Sequence, residues 1–144
     1  MRFLFDSSCI VPLVSNWHPE HRRTASAYNR RLDAGDVLLV AGHAAAESYA
    51  VLTRMPAPFR LPPSEALELL AANLFRQGSE VLALSGQEYR GVLQAEAKRL
   101  TLGGRIYDAV ILACAKAGGA DELLTLNLRH FEGLDGGNVR IVAP

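Results

Sequence analysis

Long hydrophobic runs are missing from this chain. No uninterrupted apolar stretch reaches the roughly 18 residues that a membrane-spanning helix requires, so a membrane partner is not expected. The first apolar run, Phe3-Leu4-Phe5, ends at Asp6, too soon for the apolar segment of a secretory leader, and the expected location is cytoplasmic. Cysteine is nearly absent. Cys9 and Cys114 are too few for a disulfide framework and have no companion spacing for zinc, so both read as small core residues. Net charge is lacking as well: 15 basic and 15 acidic residues cancel, which removes any global attraction to nucleic acid and leaves only local basic patches. Lysine is scarce beside thirteen arginines. Arginine suits bidentate phosphate contacts, but genome composition produces the same bias. Repeats and low-complexity tracts are also absent.

What is present fits one soluble core. The 144 residues are 49% apolar and 21% charged, the balance of a globular protein, and a single domain over residues 1–144 is expected with no internal linker. Short apolar runs without alternation suit strands buried on both faces: Phe3 to Phe5, Val37 to Val40, Ser79 to Ala83, Glu122 to Thr125 and Val139 to Val142. Helical segments alternate with them. The sequence predicts helices over Cys9 to Val14, His18 to Ala34, Ala44 to about Arg54, Ser64 to Phe75, Ser85 to Leu100 and a stripe from Ile106 to Ala117. Ser85 and Glu88 form a capping-box pair, and Gly35 is placed as a helix stop. This alternation predicts an α/β fold with about five parallel strands and helices on both faces.

In such a sheet the carboxyl ends of strands and the helix starts that follow them share one edge, where ligands bind. Asp6 ends the first strand, and Glu47 and Asp108 are placed in first helical turns. Three carboxylates gathered on that edge would raise one another's pKa unless a cation neutralised them, and Mg²⁺ or Mn²⁺ suits oxygen ligands. A plainer reading stands beside this one. Acids in first helical turns are favoured by the helix dipole alone, and Asp6 is equally suited to capping its own helix.

Four segments in order carry a family resemblance: Phe5-Asp6-Ser7-Ser8, Ala46-Glu47-Ser48, Ile106-Tyr107-Asp108-Ala109, and Leu124-Thr125-Leu126-Asn127 followed by Leu128-Arg129-His130-Phe131. Together they resemble the PIN-domain ribonucleases, particularly the VapC-type toxins of toxin–antitoxin modules. The resemblance implies a three-layer PIN-like fold with Asp6, Glu47 and Asp108 around Mg²⁺ or Mn²⁺. It further implies hydrolysis of RNA phosphodiester bonds, a cognate antitoxin as partner, and a homodimer or higher assembly. Asn127 stands where the family often has a fourth acid, and it is assigned to the catalytic set as an amide that orients water or a metal without adding charge. The alternative function is a catalytically weak or inactive RNA-binding or interaction module. Thr125 and either Ser7 or Ser8 are expected to hydrogen-bond the carboxylates.

Other residues are read more plainly. His18 and His21 belong to a solvent-exposed helix start, and His130, beside Phe131, to a mainly structural turn. Arg22, Arg23, Arg30 and Arg31 form a solvated helix face, with RNA backbone contact as the functional reading. The proline-rich stretch Met55 to Pro63 is either a core plug or a partner surface.

Overall fold

The computed structural model describes Met1 to Pro144. Five short strands, β1 (Arg2–Phe5), β2 (Val37–Ala41), β3 (Glu80–Leu82), β4 (Glu122–Leu124) and β5 (Arg140–Val142), form one sheet. Their order is β3-β2-β1-β4-β5, and every pairing is parallel. Successive side chains of a strand point to opposite faces, so the full burial of Phe3, Leu4 and Phe5 in turn requires cover on both sides of the sheet. The helices provide it: α1 (Ser7–Val14), α2 (His21–Asp33), α3 (Gly42–Arg54), α4 (Pro63–Leu74), α5 (Gly86–Lys98) and α6 (Arg105–Ala117). α1, α2, α3 and α4 pack in one connected group, α5 packs on α6, and α3 touches both groups. The expected three-layer α/β architecture is therefore present.

Strand order fixes where a ligand site belongs. From β1 the chain builds outward through β2 and β3, then crosses back to lay β4 and β5 on the other side. The crevice of such a sheet opens where the order reverses, at the carboxyl ends of β1 and β4. Phe5 pairs with Leu124 at the last step of that ladder, which leaves Asp6 and Thr125 side by side as the first residues beyond it.

The opposite end of the sheet is closed by ion pairs. Arg31 is largely buried and reaches Glu122 at 2.5 Å, while Arg140 reaches the other carboxylate oxygen at 2.6 Å. Arg31 thus leaves the solvated face assigned to it from sequence, because β4 presents a buried carboxylate that requires a partner. It anchors α2 to the sheet and stands at the wrong edge for RNA.

Several boundaries shift for local reasons. α1 starts at Ser7, two residues earlier than expected, because Asp6 caps it by accepting from the Cys9 amide at 3.1 Å. Gly35, at φ +79°, ends α2 in the left-handed region where glycine carries no steric cost. α3 also begins early, at Gly42, which moves Glu47 out of the first turn into the second. The helix-dipole explanation for that acid weakens accordingly. The Ser85–Glu88 capping box forms as predicted and starts α5.

Candidate active site

Asp6 is the buried centre of the site. Its position, one residue past β1 and at the cap of α1, leaves it 2% exposed. Ser8 Oγ donates to Oδ1 at 2.6 Å, joined there by the Cys9 amide, and Thr125 Oγ1 donates to Oδ2 at 2.6 Å. The two hydroxyls are themselves held. Ser8 Oγ accepts from the Leu126 amide and Thr125 Oγ1 from the Asn127 amide, both at 2.9 Å. Burial pushes the Asp6 carboxyl above its ordinary value, and these hydrogen bonds pull against that rise. Of the two expected serine donors it is Ser8, not Ser7, that serves.

Asp108 faces this cluster from the first turn of α6. Its carboxyl is pushed up to about 6, first by burial, with the negative charges of Asp6 and Glu47 adding to the rise. His130 and Arg105 oppose it. His130 Nδ1 lies 3.3 Å from Asp108 Oδ2, on the 3₁₀ turn Leu128–Phe131 that follows β4. That contact gives His130 an electrostatic role beside the mainly structural one read from sequence. Arg105 donates to the carbonyls of Arg129 and His130, at 3.3 and 3.1 Å, and so ties the start of α6 to the same turn.

Glu47 approaches from α3 and is about one-third exposed. His43 Nε2, buried and without a hydrogen-bond partner, stands 3.9 Å from its Oε2. The His43 ring packs on Tyr107, centroids 4.8 Å apart, which links α3 to the residue preceding Asp108. Sequence reasoning passed over His43, which lies two residues past the end of β2, in the first turn of α3 and one helical turn before Glu47. Asn127 is exposed; its backbone amide donates to Thr125 Oγ1 and its carbonyl accepts from the His130 amide. Asp121, set aside from sequence, accepts from the Arg2 amide at 2.7 Å at the far edge of the sheet. His18 and His21 make local backbone contacts, Nδ1 of His18 with the Glu20 amide and Nδ1 of His21 with the Pro12 carbonyl.

The donor set suits a divalent cation in kind. Asp6, Glu47 and Asp108 offer only oxygens, and to the rise that burial imposes on the Asp108 carboxyl the charges of Asp6 and Glu47 add a repulsion that a cation relieves. As they stand, no three His, Cys, Asp or Glu side chains are grouped tightly enough to hold an ion between them. The fit therefore rests on donor chemistry and shared electrostatics.

Residues 3–136 match the PIN domain family. The chain belongs to that family. It is 40% identical over 127 residues to Ribonuclease VapC40 of Mycobacterium tuberculosis, covering 88% of this chain and 87% of that protein. Ribonuclease VapC27 of the same organism is 33% identical over 124 residues, 86% of this chain and 83% of its own length. Among solved structures, VapBC-1 of nontypeable Haemophilus influenzae superposes with a TM-score of 0.63, spanning 99% of this chain and 98% of its own, at 19% identity. At that identity the likeness speaks for the PIN fold alone. The segments that carry the resemblance in sequence include those that bring Asp6 and Glu47 within electrostatic reach of Asp108.

Proposed function

We propose that this chain is a metal-dependent endoribonuclease that hydrolyses RNA phosphodiester bonds, the toxin of a toxin–antitoxin pair. The observation that carries this reading is a buried aspartate, gripped by two hydroxyls at the reversal point of a parallel sheet and faced by two further acids. Strong identity to proteins named VapC ribonucleases supports the choice of RNA as substrate.

Asp6, Glu47 and Asp108 would hold Mg²⁺ or Mn²⁺. Bound there, the cation provides Lewis-acid stabilisation of the phosphate oxygens and a water of lowered pKa. The chain's own residues do the rest. Ser8 and Thr125 fix the Asp6 carboxylate in one orientation. Glu47, the most exposed of the three, is placed to take the proton of the attacking water, with the His43 imidazole beside it. His130 holds Asp108 and offers positive charge when protonated. Asn127, at the crevice mouth, orients substrate or water through its amide.

A cognate antitoxin is the expected partner, and self-association into a homodimer is part of the same proposal. No helix is long and apolar enough to cross a membrane, and we place the protein in the cytoplasm as one domain. A binding-only reading draws on Asn127 in place of an acid. Turnover separates the two. Purified, antitoxin-free protein should cut RNA with Mg²⁺ or Mn²⁺ and fail in chelator, and Asp108→Asn should fail throughout. RNA left intact by the wild type under every cation, yet still bound, refutes the nuclease reading.

A further inference from the structure

Trp17 and Phe59 are far apart in sequence but stack face to face, ring centroids 4.2 Å apart and planes 30° from parallel. Trp17 lies in the segment between α1 and α2, and Phe59 in the proline-rich stretch after α3. The stretch divides: Met55 and Leu61 pack against the core, whereas Phe59 is no core plug, since it stays 41% exposed and Trp17 42% exposed. Two large rings left that open on a small protein call for a ligand with a flat face.

Their position relative to the acids shows which ligand. The His18 ring sits 5.6 Å from Trp17, and His18 lines an open cleft of about 410 Å³ together with Met55, Ser8, Asn127, Val11 and Val51. Ser8 is the residue that grips Asp6 at 2.6 Å. The cleft therefore reaches from Ser8, which holds the Asp6 carboxylate, to His18, which packs beside Trp17. Arg54 and Arg60 flank Phe59 in sequence, and Arg60 is steadied by its Nε donating to the Met55 carbonyl at 2.8 Å. An aromatic face, guanidinium groups and continuity with a phosphodiester-cleaving centre are what a single-stranded nucleic acid requires.

We infer that Trp17, backed by Phe59, is a stacking platform for an unpaired RNA base next to the scissile phosphate, with the His18–Met55 cleft as the path between them. This deepens the nuclease reading and rests on it. The platform selects single-stranded over duplex RNA, because a base must leave its stack to reach it. It is tolerant of base identity, since every base has a face to offer.

The test reads the emission of Trp17, the chain's one tryptophan, in the Asp108→Asn protein with Mg²⁺, where RNA is bound but not cut. A short single-stranded RNA should quench that emission saturably, and an oligonucleotide of the same length with abasic sugars should quench far less. In the otherwise wild-type enzyme, Trp17→Ala should raise KM about tenfold, the cost of one lost base stack, with kcat nearly unchanged, and Trp17→Phe should restore most of the affinity. Phe59→Ala should act in the same direction more weakly. Equal quenching by both oligonucleotides, or an unmoved KM in folded Trp17→Ala, overturns the platform while wild-type cleavage keeps the nuclease reading standing. Should the wild type never cut RNA, the nuclease reading falls, and the quenching comparison still decides the platform. Loss of antitoxin binding in Trp17→Ala, with RNA KM unchanged, would make the patch a protein-docking surface and overturn the assignment.

Discussion

Thr125 donates its hydroxyl to Asp6 Oδ2 at 2.6 Å, joining the two residues that first emerge from paired strands β1 and β4. A buried carboxylate that loses a donor keeps the whole cost of its desolvation. Thr125→Val should therefore destabilise the protein by about 1–3 kcal/mol in urea unfolding at neutral pH and lower cleavage as well. Thr125→Ser, which keeps the hydroxyl, should recover most of both.

Asp108 yields a pH signature. Its folded carboxyl titrates at about 6, above the ordinary value of 3.8, so the folded state binds this proton more tightly than the unfolded one. Stability from this group is whole below about pH 4 and is lost as pH rises toward about 6. Asp108→Asn removes that loss. In chelator, the variant should be more stable than wild type by about 1 kcal/mol near neutral pH, after allowance for solvent screening, and no more stable at about pH 4. Melting temperatures at the two pH values check the sign, and cleavage should be absent throughout.

His130 bears on the same carboxyl from outside. With its Nδ1 at 3.3 Å from Asp108, it counters the burial that favours the protonated acid. His130→Ala should move the acidic limb of the pH–rate profile to higher pH and raise the Mn²⁺ concentration needed for half-maximal activity. His130→Gln, which retains a donor but no charge, should fall between. An unchanged profile in His130→Ala would return the residue to a structural role.

The Arg31–Glu122 pair separates stability from function. Both groups are largely buried, and Arg140 alone would remain against Glu122 if Arg31 were removed. Arg31→Met should cost about 3 kcal/mol in urea unfolding, the lower end for a broken buried pair, because Arg140 stays. KM for RNA should not change. Arg30→Met, on the exposed side of the same helix, should leave stability nearly untouched.

The middle of the sheet was legible because Phe3 to Phe5 and β2 are apolar runs, and Asp6 was legible because a charge ending such a run is costly unless used. The parallel arrangement then placed Asp108 and Thr125 on the same edge by rule. Glu47 was found at the right edge for a partly wrong reason, since α3 begins at Gly42 and carries it in the second turn. His43 and His130 were harder. His130 draws its role from Asp108, and His43 packs on Tyr107, each on another element, whereas the His43–Glu47 pair lies within α3 at helical i,i+4 spacing. Local pattern carries no trace of the pairings between elements. The same holds for Arg31, whose solvated surroundings in sequence conceal a buried partner 91 residues away, and for the Trp17–Phe59 stack, which two loops build together.

The central claim is that Asp6, Glu47 and Asp108 act as one cation-holding unit in RNA cleavage. The most direct measurement is the initial rate of RNA cleavage against Mn²⁺ concentration for wild type, Asp6→Asn, Glu47→Gln and Asp108→Asn, each checked for folding. The account predicts saturable activation of the wild type from a zero rate in chelator, and loss of at least about a hundredfold in every variant, since each removes a charged oxygen ligand. Cleavage that persists in chelator, or that any one carboxamide variant performs at the wild-type rate and cation dependence, would contradict it.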